Sequence, residues 1–153
     1  MTTCRTKAAE PSDIDAIIEM GRAMHTESVY SVLRFSEEKV RHLVLTAIEY
    51  DWFLQIAERN GKPVGMMAAY CAPHWCSDDL MVSDLLLYVL PEHRGGFAAV
   101  LLVEDFKAWV VATGAKLVTV GTTAIPDHRE AVVDFYQARG FSLLGAVMRL
   151  NHV

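Results

Sequence analysis

At 153 residues the chain has the length of one domain, and it can bury most of the apolar surface that its unfolded form exposes, so it needs no disulfide staple. Hydrophobic residues make up 52% of it, yet no stretch reaches the roughly 18 uninterrupted apolar residues of a membrane span. A formal net charge of -5 argues against a nucleic-acid surface, which needs clustered Lys and Arg, and favours cationic small molecules as ligands.

Three cysteines, Cys4, Cys71 and Cys76, are an odd number without paired zinc-site spacing, and the N-terminal MTTCRTKAAEPSD has no apolar core of signal-peptide length. Reduced thiols and a cytoplasmic location are therefore expected. No repeat or linker interrupts the chain, so residues 1–153 are expected to form a single domain.

Residues 3–8 are predicted to form a short strand. Pro11 and Ser12 then open a helix in which Ile14, Ile17, Ile18, Gly21 and Met24 fall on one face. Ser36 is placed to cap a second helix, where Glu37 and Glu38 suit the positive dipole end and Val40, Leu43, Val44, Ala47 and Ile48 form the apolar stripe. The period then changes from helix to strand. FLQIAE and VGMMAAYC flank Asn60-Gly61, a turn pair that tolerates positive φ, so two antiparallel strands are expected.

LMVSDLLLYV is almost continuously apolar, as in a strand covered on both faces. The sequence PEHRGGFAAVLLVEDF follows it. There Arg94, Gly95 and Gly96 precede a helix that carries Ala99, Leu102, Val103, Phe106, Trp109 and Val110 on one face and ends at Gly114. KLVTVGTT resumes as a strand, so strand, helix and strand imply a right-handed crossover and a parallel pair. A last helix over residues 128–139 ends at Gly140, and FSLLGAVMRLN is predicted to supply one or two closing strands.

A helix N-terminus presents unpaired N–H groups and partial positive charge, while glycines let a phosphate approach the backbone. The Arg94-Gly95-Gly96 turn is thus a candidate phosphate or pyrophosphate site, the alternative being a tight turn that binds nothing. GxGxxG and the P-loop GK[ST] are both absent, which disfavours dinucleotides and nucleoside triphosphates.

Val89, Pro91, Arg94 and Ala99 resemble the V-x-P-x-x-(Q/R)-x-x-G-x-(G/A) signature of the GNAT superfamily of acetyl-CoA-dependent N-acetyltransferases. Phe97 stands where that pattern prefers glycine, and the RGG run resembles a phage-like subgroup. FYQARGF at 135–141 is similar to the later motif of the family, with Arg129 replacing its usual Asn. The resemblance implies an α/β (α+β) GNAT fold, a mixed twisted sheet of six or seven strands flanked by about four helices. It implies acetyl-CoA as co-substrate, with Leu87, Tyr88 and Val89 along the pantetheine and Arg94, Gly95, Gly96, Phe97, Ala98, Ala99 and Val100 around the pyrophosphate.

It also implies that Tyr136 is a general acid near the sulfur. Moving acetyl from a thioester to an amine needs a neutral amine and a protonated leaving thiol, hence a base as well as an acid. Asp84, a carboxylate inside an apolar strand, is the candidate base, because desolvation raises its pKa toward a useful value. His74, Asp127, His128 or an ordered water are the other candidates, and Cys76 near His74 is a weak candidate nucleophile. The histidines His25, His42, His74, His93, His128 and His152 show no metal-ligand spacing, so no metal is expected.

Acetyl transfer to a primary amine by direct attack in a ternary complex is the leading functional reading. A non-catalytic acyl-CoA-binding or sensor module is the alternative, and a toxin acting on aminoacyl-tRNA is disfavoured by the acidic charge. The acceptor side falls to the first two helices and the 71–80 loop, whose Trp75, Asp78 and Asp79 suit a cation. Expected partners are a small-molecule or peptide amine and a second copy of the chain in a homodimer, with neither nucleic acid nor membrane.

Overall fold

The computed structural model describes residues 3–151. Strand β1 (Cys4–Ala8) leads through a short 3-10 turn at Pro11–Asp13 into helix α1 (Ile14–Glu27), and helix α2 (Glu37–Glu49) follows. Asp13 closes the entry to α1 by accepting the Glu10 N–H at 2.9 Å, and the Ser36 hydroxyl caps α2 by accepting from the Lys39 N–H. Strands β2 (Phe53–Arg59) and β3 (Lys62–Pro73) form the expected hairpin, whose turn residues Asn60 and Gly61 have φ of 52° and 77°.

Strand β4 (Leu80–Val89), helix α3 (Ala98–Thr113) and strand β5 (Leu117–Thr119) form the crossover unit, and helix α4 (Arg129–Gln137) completes the regular elements. The strand order is β1-β2-β3-β4-β5, antiparallel as far as β4, with β4 and β5 parallel. Gly114 ends α3 in the left-handed conformation at φ 70°.

Alternation along the strands divides the core between the two faces of the sheet. Leu54, Ile56, Met66, Ala68 and Tyr88 meet α1 and α2 through Ile17, Ile18 and Val44. Phe53, Ala57, Met67, Val82 and Val89 meet Leu102, Val103 and Phe106 of α3, with Tyr136 of α4 in the same cluster. This is the mixed, helix-flanked sheet expected of the sequence.

Two departures bear on the site. The sheet has five strands among the described residues, not six or seven, and the 141–150 segment forms no ladder. Strand β5 is only three residues long and offers little edge for a further partner, while Gly145 has no side chain to anchor the segment. Leu143, Leu144, Val147, Met148 and Leu150 are consequently exposed. The second departure is a bulge: Ala68 pairs with Leu86 and Ala69 with Asp84, so Leu85 stands outside the ladder.

Candidate active site

Strands β4 and β5 pair only through Met81–Leu117, Val82–Val118 and Ser83–Thr119. Beyond Ser83 they part, leaving a cleft of about 370 Å³ lined by β4, the glycine turn, the 121–128 segment and α4. Leu87, Tyr88, Val89, Arg94, Gly95, Gly96, Ala99 and Tyr136 all contribute to its wall. Asp84 reaches the same region, where its Oδ1 accepts the Gly121 N–H at 2.9 Å.

Phe97, Ala98 and Val100 do not line the cleft: Phe97 is the exposed N-cap residue of α3 and Ala98 is buried in the core. No side chain caps α3, and its first turn carries no acidic residue. Its leading N–H groups therefore remain available to an anion, as the chemistry of a pyrophosphate requires. Gly95, at φ 78°, makes the approach to that end in a conformation that favours glycine.

Arg94 has a different neighbourhood from the free cation that the sequence suggests. Its guanidinium forms two hydrogen bonds to the Glu27 carboxylate, its Nε donates to the Val89 carbonyl at 2.9 Å, and it lies 5.4 Å from the Tyr88 ring centre. Burial works to raise the Glu27 carboxyl, but the hydrogen bonds from Arg94 and Tyr88 outweigh it and hold the group below the usual carboxylate range. Glu27 is a site residue that the sequence reading missed; its only signal was a carboxylate in the last turn of a helix, where the dipole disfavours it.

Tyr136 is 3% exposed, and its Oη has no hydrogen-bond partner among the described residues. Its ring is fixed edge-on between Phe135 and Phe141, with centroids 5.5 and 5.1 Å away. Burial first, and then the charge of Asp84, push its phenol well above the ordinary tyrosine value. Asp84 is half-buried, and desolvation raises its carboxyl to about 6 against the opposing effect of the Gly121 N–H. An acid that stays protonated therefore lines the cleft, while the raised carboxyl of Asp84 lies behind the wall, bonded to Gly121 and near enough for its charge to act on the phenol.

Of the other candidate bases, His128 lines the cleft and Asp127 does not. His74 lies in the β3–β4 loop, where its Nδ1 is 3.1 Å from the Cys76 Sγ and both residues are exposed. No residue of that loop lines the cleft. No group of three His, Cys, Asp or Glu side chains is placed to hold a metal among the described residues, and His152 lies outside them.

The family model for the acetyltransferase (GNAT) domain matches residues 50–143, which hold β2 through α4 and both walls of the cleft. The chain belongs to the GNAT acetyltransferase family. It is an acetyltransferase, and acetyl-CoA is the acyl donor of such enzymes. No curated protein sequence matches it.

Solved GNAT structures resemble it at low identity, which speaks to the fold alone. Aminoglycoside N-acetyltransferase AAC(6')-Iy in complex with CoA superposes with a TM-score of 0.79 at 15% identity, covering 99% of this chain and 96% of that one. Ribosomal-protein-alanine N-acetyltransferase from Brucella melitensis biovar Abortus 2308 gives 0.73 at 12%, with 99% and 100% covered. An aminoglycoside acetyltransferase from an uncultured soil metagenomic sample, in complex with trehalose, gives 0.71 at 17%, with 99% and 95% covered. No helix among the described residues of the GNAT chain is long and apolar enough to cross a membrane.

Proposed function

We propose that this GNAT chain, acting as a single domain over residues 1–153, moves acetyl from acetyl-CoA to a primary amine by direct attack with both substrates bound. The observation that carries the reading is the Tyr136 hydroxyl, enclosed at the cleft with no partner. A buried donor in that state costs stability and is retained where a ligand completes it. The residues present fit the donor: the uncapped α3 N-terminus suits a pyrophosphate, and the β4 edge beyond Ser83 offers backbone groups to amides.

Bound acetyl-CoA supplies the acetyl group as a thioester. Leu87, Tyr88 and Val89 hold the pantetheine arm, while Gly95, Gly96, Ala99 and the first-turn backbone of Phe97, Ala98 and Val100 receive the pyrophosphate. Arg94 shapes this turn through its bonds to Val89 and Glu27, and contributes positive charge partly offset by the carboxylate. Asp84, ionised above about pH 6, takes the proton from the incoming ammonium group. The neutral amine would then attack the thioester carbonyl and the C–S bond would break, with Tyr136 Oη giving its proton to the departing sulfur and the proton shed by the new amide nitrogen restoring the phenol.

The test is steady release of free thiol from acetyl-CoA that depends on added amine, with the acetylated amine identified by mass. Thiol release at the background hydrolysis rate with every amine would overturn the reading. A cytoplasmic location fits the reduced thiols of Cys4, Cys71 and Cys76. A homodimer accounts for the exposed apolar side chains of residues 143–150, which a second copy would cover. Light scattering that gives a 17.0 kDa species at high protein concentration would reject the dimer.

A further inference from the structure

A second cavity, of about 190 Å³, lies on the face of the sheet covered by α1 and α2. For scale, a void of about 150 Å³ lined by Leu, Ile and Phe takes up benzene. Its walls include Gly21, Phe35, Val44, Met66 and Leu86, and it opens past the exposed Tyr30, Leu43 and Leu85. It adjoins the cofactor cleft: Met24 lines both, and the consecutive β4 residues Leu86 and Leu87 line one each. Leu85, which stands out of the ladder at the bulge, lines its mouth.

Among the described residues that line it there is no Asp, Glu, Lys or Arg. Two of its polar side chains are already engaged: the His25 Nε2 contacts the Leu33 carbonyl at 2.9 Å, while the Ser28 hydroxyl donates to the His25 carbonyl and accepts from the Tyr30 N–H. A polycation would enter it without a counter-ion, at a large desolvation cost.

Gly21 supplies an independent sign that the space is used. It lies inside α1, where glycine is less stable than alanine, and its backbone has no positive φ that would require glycine. A Cβ built there would meet nothing nearer than the Phe35 ring at 3.9 Å, an ordinary contact. Neither backbone conformation nor close packing accounts for the glycine. Its effect is to leave the cavity open.

We propose that this cavity receives the acceptor, and that the acceptor is a monoamine on an uncharged apolar body about the size of one ring, an arylalkyl- or branched alkylamine. The inference rests on the acetyl-transfer reading above, and it narrows the cationic small molecules that the net charge favours to those with one charge on an apolar body. The apolar body packs against Phe35, Met66 and Leu86, while the amino group points to the β4 bulge.

The test compares thiol release from acetyl-CoA with 2-phenylethylamine, spermidine and kanamycin, for the native chain and for Gly21→Ala and Gly21→Leu. The arylalkylamine should be preferred by about tenfold or more in kcat/KM, the scale on which apolar pockets discriminate. Gly21→Leu should raise its KM about tenfold and Gly21→Ala by less, with the thermal shift given by CoA unchanged. Gly21→Ala keeps the test open if the larger side chain does not fold. A raised Tm in Gly21→Ala with KM unchanged in both folded variants would overturn the proposal, marking the cavity as a packing void. Preference for spermidine or kanamycin would overturn the acceptor assignment and leave acetyl transfer standing. No amine-dependent thiol release, from protein that CoA still stabilises, would overturn acetyl transfer and the assignment together.

Discussion

Tyr136→Phe separates the catalytic and structural accounts of one hydroxyl, because they predict opposite pairs of results. The phenyl ring keeps the edge contacts to Phe135 and Phe141, so its packing in the α3–α4 core survives. The deleted Oη has no partner and is fully enclosed. Leaving a buried polar group unsatisfied costs about 1–3 kcal/mol, so removing it should hold or raise the stability of the ligand-free protein by up to that amount. The same deletion removes the proton donor, and general acid catalysis is worth about 100- to 10,000-fold. Thermal unfolding without ligand and single-turnover thiol release with amine give the two readouts. A variant that turns over at the native rate while losing stability would refute the reasoning, since Tyr136 would then be a structural tyrosine with its bond made elsewhere.

Asp84 should set the acid limb of the kcat/KM profile near pH 6, and Asp84→Asn should abolish that limb along with most of the rate. Its raised folded value also destabilises: the penalty is full above about pH 6 and vanishes below the unfolded value of 3.8, so Asp84→Asn should gain about 1–3 kcal/mol at pH 8 and progressively less toward pH 4. Free CoA at about 100 times its Kd should add about 2.7 kcal/mol to stability, and the absence of a thermal shift at millimolar CoA would count against the cleft as its site. Arg94→Ala should lower both Tm and CoA affinity by stranding Glu27, whereas Glu27→Gln should raise CoA affinity, most at low salt, by removing a negative charge beside the cleft. Calorimetric titration at two ionic strengths measures both effects, and weaker binding in Glu27→Gln would contradict the electrostatic account.

The elements that were legible in the sequence are those whose signal is local. Asn60-Gly61 specifies its hairpin through positive φ, Ser36 its helix start through a cap, and Gly114 its helix end through a left-handed residue. The glycine turn before α3 was readable for the same reason, since an anion site at a helix end needs only neighbouring residues. What escaped depends on contacts far apart in the chain. The Glu27–Arg94 pair joins residues 67 apart, and nothing near Glu27 announces it. The bulge at Leu85 is a register shift against β3, invisible along β4 alone. The closing strands failed in the opposite sense: 141–150 has strand composition, but a three-residue β5 gives it too little edge to pair with.

The distribution of unpartnered and desolvated polar groups supports the proposed site without reference to any motif. Glu58 and Asp13 are buried too, yet each is well paired: Arg5 donates twice to Glu58, while Lys7 and the Glu10 N–H both donate to Asp13. These carboxylates tie β1 to β2 and fix the entry to α1. At the parting of β4 and β5 the arrangement is reversed. Among the described residues the Tyr136 hydroxyl has no partner, the Asp84 carboxyl is pushed up by burial, and no side chain caps the α3 N-terminus. The unpartnered phenol and the desolvated carboxyl each cost stability where they stand. On the proposed reading ligands would relieve them: a sulfur beside the phenol, an ammonium beside the carboxylate and a phosphate at the helix end. On that reading the chain pairs its buried carboxylates where they build structure and leaves the Tyr136 hydroxyl for a ligand to complete.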